Sequence, residues 1–203
     1  MTKYKMGIMG GTFDPIHIGH LILAEEAKNY FGLDKIIFIP TGRPPHKHWD
    51  NMAEPIKRYE MTLLATTDNP DFIVSSIEID REGTTYTIDT IKYLIQKYKD
   101  TEFYFITGAD SIVEISNWKN SKELLSLCKF ITAKRAVVSD NKLEKTISEI
   151  EKKLGVSIDI LPIPYIDISS TNIRNKIKKN ESIKYYLPDS VRDYIFKNKL
   201  YID

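Results

Sequence analysis

Residues 5–20 read Lys5-Met6-Gly7-Ile8-Met9-Gly10-Gly11-Thr12-Phe13-Asp14-Pro15-Ile16-His17-Ile18-Gly19-His20, and the reading of the fold starts from them. Met6 to Met9 is a short apolar run of the kind that forms a buried strand. Gly10-Gly11-Thr12 follows as a turn with almost no side-chain bulk. Asp14 and Pro15 set up a helix start, and His17 and His20 open that helix. Three residues apart on a helix, the two imidazoles share one face, and Gly19 leaves space above the backbone between them. A helix N-terminus carries N–H groups without intrahelical partners and the positive end of the macrodipole, which together favour phosphate. The stretch therefore reads as a phosphate site with two histidine donors above it. Gly-Gly alone would be only a tight turn, and one histidine alone a structural residue; it is the combination that points to chemistry. It is not a Walker A loop, because no G-K-[ST] closes it, and it is not G-x-G-x-x-G.

The rest of the composition narrows the classes. A chain of 203 residues with 42% hydrophobic content is expected to form a single domain with a substantial core. Lys+Arg of 29 against Asp+Glu of 28 gives a net charge of +1, so nothing in the balance calls for nucleic acid or a membrane as partner. The one cysteine, Cys128, excludes an intramolecular disulfide and sits in an apolar context that reads as core. No apolar run is long enough for a signal peptide or a membrane span, so a cytoplasmic protein is expected. Oligomeric state is not written in the sequence, and a homo-oligomer stays open.

Along the chain, apolar strands alternate with helical patterns. Leu21 to Phe31 continues the first helix, with apolar or small residues at 21, 24, 27, 30 and 31, and Gly32 ends it as a C′ glycine. Lys35 to Ile39 reads as a strand buried on both faces. It runs into a basic, proline-rich loop, Pro40 to Lys47, expected to meet an anion. Glu54-Pro55 starts a helix whose apolar stripe is Ile56, Tyr59, Leu63 and Leu64. Arg58 lies off that stripe, so solvent or a ligand is its expected neighbour. Phe72-Ile73-Val74 and Ile77-Glu78-Ile79 read as short strands. Thr84 to Thr87 leads into a helix with Thr87 as N-cap. Phe103 to Thr107 is a strand ending in Gly108-Ala109-Asp110-Ser111, where an acidic residue suits a ribose hydroxyl. Trp118 could be an aromatic platform or a core residue. Phe130 to Ala133, ending in Lys134-Arg135, and Ile158 to Ile163 are the last strands, with a helix over 141–154 between them. Ser169-Ser170-Thr171 caps a further helix with Arg174 one turn inside, repeating the logic of the first site. Pro188 to Leu200 closes the chain as a helix. This alternation predicts an α/β protein: a Rossmann-like parallel sheet with helices on both faces. The polar clusters fall at strand C-terminal ends, where such sheets bind ligands.

Gly10-Gly11-Thr12-Phe13-Asp14-Pro15 followed by His17-Ile18-Gly19-His20 resembles the signature of the HxGH nucleotidyltransferase superfamily. Ser169-Ser170-Thr171-x-Ile173-Arg174 resembles the ISSTxIR motif of nicotinate-nucleotide adenylyltransferases. Thr85-Tyr86-Thr87, Gly108 to Ser111, Trp118 and the stretch from Leu187-Pro188 to Leu200-Tyr201 are similar to the same family, so the resemblance spans essentially the whole chain. The HIGH spelling also occurs in class I aminoacyl-tRNA synthetases, but their lysine loop and tRNA-binding domains have no counterpart here.

The resemblance implies the HxGH nucleotidyltransferase fold in one domain, 1–203, with ISSTxIR and the C-terminal helices in 165–203. It implies transfer of the adenylyl group of ATP to nicotinate mononucleotide, giving nicotinate adenine dinucleotide and pyrophosphate. It further implies that His17, His20 and Arg174 are catalytic. The ATP site would comprise Gly10, Gly11, Thr12, Phe13, His17, His20, Gly108, Asp110, Ser170, Thr171 and Arg174. The acceptor would meet Thr12, Lys47, Thr85, Tyr86 and Trp118. Main-chain N–H groups of Thr85 and Tyr86 would take the nicotinate carboxylate, and Trp118 would stack on the pyridine. Magnesium would arrive with ATP, because no carboxylate cluster suggests a protein-built metal cage. The competing readings are an adenylyltransferase for another phosphomonoester (nicotinamide mononucleotide or phosphopantetheine) and a nucleotide-binding module without catalysis.

Overall fold

The computed structural model describes residues 3–44, 52–133, 140–163 and 166–202. Lys47 and the rest of the basic stretch 45–47 lie outside them, as do Lys134, Arg135 and Pro164.

In chain order the elements are β1 (Tyr4–Gly11), α1 (Ile18–Phe31), β2 (Lys35–Pro40), α2 (Pro55–Thr66), β3 (Phe72–Val74), α3 (Thr87–Lys97), β4 (Thr101–Gly108), α4 (Ala109–Glu114), a 3-10 turn (Ile115–Asn117), α5 (Ser121–Leu127), β5 (Lys129–Ala133), α6 (Asp140–Leu154), β6 (Ile158–Leu161), α7 (Ser170–Lys178) and α8 (Asp189–Lys197). The six strands form one sheet in the order β3-β2-β1-β4-β5-β6. The β1/β4, β4/β5 and β5/β6 ladders are parallel, with Met6 opposite Phe103 and Gly108 opposite Ala133. Parallel strands joined through helices bury both faces, which is why β1, β2 and β4 carry continuous apolar runs rather than alternation.

The chain divides into two compact units: Met1–Gly10, Leu23–Ile36 and Tyr86–Asp167 in one, Gly11–Ile22, Ile37–Thr85 and Ile168–Asp203 in the other. In the first, Phe103, Phe105, Ile106, Phe130 and Ile131 are buried, with the Phe105 and Phe130 rings 5.3 Å apart. In the second, a row of rings runs from Phe13 to Phe38 (6.0 Å) and on to Phe72 (5.1 Å). Met61, Ile173, Val191 and Ile195 are buried in the same unit.

Gly32 sits at φ +60°, and the Leu33 N–H donates to the Lys28 carbonyl at 2.9 Å, so α1 ends as expected of a C′ glycine. Other expectations are corrected. The buried face of α2 is Arg58, Met61, Thr62, Ala65 and Thr66, while Ile56, Leu63 and Leu64 are exposed. Apolarity points to the wrong face here, because the inward face is polar but hydrogen-bonded. Thr62 and Thr66 donate to carbonyls one turn back, and Arg58 has acceptors in three separate segments. Residues 77–79 form a turn rather than a strand: Asp80 N–H reaches the Ser76 carbonyl, and the Ser76 hydroxyl the Asp80 carboxylate. In α1, Leu23, Ala24 and Ala27 are buried, but Tyr30 is exposed. Thr87 is the first residue of α3 rather than its N-cap, which is Tyr86.

Candidate active site

The turn from β1 into α1 lies in the second unit. Phe13 takes φ +50° and folds its ring back over Gly11, where a Cβ would lie 2.8 Å from the ring. Glycine is required by that close approach. The Phe13 ring is buried and meets the His20 ring edge-on at 5.1 Å. The first helical carbonyl is that of His17, which accepts from His20 N–H at 2.9 Å, so His17 stands at the N-terminus of α1 and His20 in its first turn. The two rings stack, with centroids 3.7 Å apart and planes 29° from parallel. His17 is buried and His20 half-buried, so His20 presents the pair's surface to solvent. The His17 backbone N–H donates to His20 Nδ1 at 3.3 Å. In the neutral ring this places the proton on Nε2, and Nε2–H becomes the donor.

The second cluster is built by α7, also in the second unit. Ser169 is its N-cap, the hydroxyl accepting from Asn172 N–H at 3.1 Å. Ser170 donates its hydroxyl to the Pro15 carbonyl at 2.9 Å, tying the start of α7 to the turn before α1. Thr171 Oγ1 accepts from Arg174 Nη2 at 3.3 Å, so its own hydrogen can be given to an anion. Arg174 Nη1 donates to the Asp14 carbonyl at 2.7 Å and lies 3.6 Å from the Asp14 carboxylate. His17, His20, Ser170, Thr171 and Arg174, singled out in sequence as a phosphate set, thus fall in one unit and are linked through Asp14 and Pro15.

Three residues of this unit were not singled out as site residues. Asp14 is almost fully buried; its Oδ1 accepts from Ala53 N–H at 3.0 Å and from the Tyr201 hydroxyl at 2.7 Å. Arg58 is fully buried, against the expectation of solvent or a ligand beside it. It donates to the carbonyls of Ala53 (3.0 Å), Thr12 (2.7 Å) and Gly42 (3.1 Å). Burial lowers its pKa, and the charges of Asp14, Tyr201 and Glu78 act the other way. Asp14 lies inside the first motif and Tyr201 at the end of the family-like C-terminal stretch, while Arg58 has no motif around it.

Thr85 also lies in the second unit and corrects an expectation. Its N–H donates to the Arg43 carbonyl at 2.9 Å, and its hydroxyl accepts from Arg43 N–H at 3.2 Å. The Thr85 amide is therefore spent on the loop after β2, which is drawn in by the bare backbone of Gly42 against Glu78.

In the first unit, Gly10 ends its part of β1, and Gly108 caps α4. Asp110 is exposed in the first turn of α4. Trp118 is half-buried and edge-on to Phe105 at 6.1 Å, so one part of the indole is core and the rest is open. Tyr86 carries the Lys119 ammonium 4.1 Å above its ring.

A sheet of this order, with hydroxyl, imidazole and guanidinium groups at helix N-termini, suits a protein that handles phosphate groups. Residues 8–176 match the cytidylyltransferase-like family model. The chain is 50% identical to a "probable nicotinate-nucleotide adenylyltransferase" of Thermoanaerobacter sp., over 98% of this chain and 95% of that one. It is 48% identical to one from Moorella thermoacetica, over 97% and 91%. Among solved structures, the Plasmodium falciparum nicotinic acid mononucleotide adenylyltransferase complexed with NaAD superposes with a TM-score of 0.81, at 23% identity over 98% of this chain and 97% of that one. The chain belongs to the nicotinate-nucleotide adenylyltransferases of the cytidylyltransferase-like family.

Proposed function

We propose that this protein transfers the adenylyl group of ATP to the phosphate of nicotinate mononucleotide. A phosphate oxygen of the acceptor attacks the α-phosphorus, the bond from that phosphorus to the bridging oxygen of the leaving group breaks, and pyrophosphate departs. A phosphate monoester is already ionised at neutral pH, so the step needs no general base and no covalent nucleophile. What it needs is alignment and donors for the charge that develops. The observation that carries the reading is the grouping in one unit of His20, Thr171 and Arg174, each with hydrogens to donate.

In this reading His20 Nε2–H meets the α-phosphate, with His17 stacked behind it, while Thr171 and Arg174 hold the β- and γ-phosphates. Ser170, whose hydrogen goes to Pro15, contributes by fixing the start of α7. Gly10, Gly11, Thr12 and Phe13 supply close-approach backbone. Gly108 and Asp110 serve the adenosine, Trp118 the pyridine ring and Lys47 the acceptor phosphate. The Tyr86 N–H, rather than that of Thr85, is left for the nicotinate carboxylate. A divalent ion, Mg2+ in our reading, enters as part of the ATP substrate; among the described residues no group of three or more His, Cys, Asp or Glu side chains forms a metal cage.

The test is pyrophosphate release from Mg-ATP with nicotinate mononucleotide, nicotinamide mononucleotide and phosphopantetheine as parallel acceptors. Fast release with the acid alone is expected. Equal rates with acid and amide would keep the chemistry and remove the carboxylate contact. No release with any acceptor would leave a nucleotide-binding module.

A further inference from the structure

We infer that Tyr201 and Asp14 are positioning residues that aim the Arg174 guanidinium at the phosphates of ATP. The inference rests on the phosphate-site reading of α7. Asp14 is almost fully buried, and a buried carboxylate must have every lone pair accounted for. Its Oδ1 takes two donors, the Tyr201 hydroxyl at 2.7 Å and the Ala53 N–H at 3.0 Å. That fixes the carboxylate rotor and turns Oδ2 toward Arg174 Nη1, at 3.6 Å. The same Nη1 is pinned at 2.7 Å by the Asp14 carbonyl, and Nη2 by Thr171 Oγ1 at 3.3 Å. A guanidinium has five N–H donors in a rigid plane. Two directions of that plane are therefore set by the protein, and the remaining N–H groups take their aim from it.

The geometry also explains why an acid can stand so near a polyphosphate site. An undersatisfied carboxylate would draw Arg174 into a close ion pair and compete with the phosphates for it. Two neutral donors on Oδ1 quench that pull and leave the longer 3.6 Å contact as a guide. Tyr201 is suited to this: burial and the neighbouring Asp14 push its phenol well above the ordinary range, so it stays a donor. It reaches Asp14 from beyond α8, across 187 residues of sequence.

The experiment is Mg-ATP affinity by titration calorimetry, alongside kcat and KM, for the full chain and three variants. Tyr201→Phe keeps the ring and removes only the hydroxyl. It is expected to weaken ATP binding about tenfold, with KM for nicotinate mononucleotide unchanged. In the Arg174→Ala background the same substitution should have no further effect on ATP, because a positioning residue acts only through the group it positions. A residue with a merely structural role would act equally in both backgrounds. If Tyr201→Phe fails to fold, Tyr201→His, which retains an N–H donor, is expected to keep wild-type ATP affinity, and a tenfold loss in that folded variant would overturn the inference. Wild-type ATP affinity in Tyr201→Phe, or an undiminished effect in the Arg174→Ala background, overturns the inference while leaving the phosphate-site reading in place. Failure of the wild-type protein to bind Mg-ATP overturns that reading and the inference with it.

Discussion

An imidazole whose Nδ1 already accepts a backbone N–H can serve a phosphate in one way, by donating from Nε2, and this is the position of His20. Removing a donor that acts on developing charge costs on the order of 100-fold or more in kcat. His20→Ala should therefore lose about that much turnover in the pyrophosphate assay while keeping its circular dichroism and melting curve. Near-normal turnover would take His20 out of the mechanism. Cys128 makes the opposite prediction, of inertness. Burial pushes its thiol up from 9.0 to about 12, only partly offset by a backbone hydrogen bond to Phe105. The folded protein then holds a proton that the unfolded chain loses first, so this residue's contribution to stability is intact below pH 9 and falls as pH rises from 9 towards 12. At pH 8 iodoacetamide should label Cys128 far more slowly in buffer than in urea.

Elements tell a different story, because what holds them is partly backbone. Gly42 lies so close to the turn at 77–79 that a Cβ would fall 1.9 Å from the Glu78 carbonyl oxygen, a contact no side-chain rotation relieves. Gly42→Ala should destabilise by about 1–3 kcal/mol in urea unfolding as the loop is forced away. Arg58 gathers the carbonyls of Thr12, Gly42 and Ala53 onto α2, and Arg58→Met strands all three. A loss of about 3 kcal/mol or more is expected from the same measurement. These elements also mark where sequence stops being informative. The strands β1, β2 and β4, the end of α1 at Gly32 and the start of α7 at Ser169 were legible, since each is set by neighbours in the chain. The inward face of α2 was not, because a guanidinium is core-compatible only once three separate segments, two of them remote in sequence, supply its acceptors. The Thr85 amide was likewise assigned to a ligand, and only the fold reveals Arg43 as its partner. Within the site, the histidine pair and the Ser-Ser-Thr-x-Ile-Arg run were readable as motifs. Tyr201 lies in a stretch that resembles the family, but its partner was not legible, since nothing nearby in sequence hints at a carboxylate 187 residues away.

At the scale of the whole molecule, the near-neutral balance of 29 basic and 28 acidic residues gives no broad positive field, so in the proposed reaction Arg174, the donors of α1 and α7 and a cation brought by ATP would neutralise the phosphates locally. Turnover should stop with EDTA and return with excess Mg2+, while equilibrium dialysis of ATP-free protein should find no stoichiometric Mg2+. A tightly bound ion retained without ATP would contradict the substrate-borne metal. The strand order has its own consequence during synthesis. One edge of β1 can be covered once β2 emerges, but its other edge is paired by β4, with Met6 opposite Phe103. At about 5–20 residues per second, the ribosome delivers that partner roughly 5–20 s later. For that interval the apolar run Met6 to Met9 has one open side, so chaperone occupancy should rise there while β4 is still to be made.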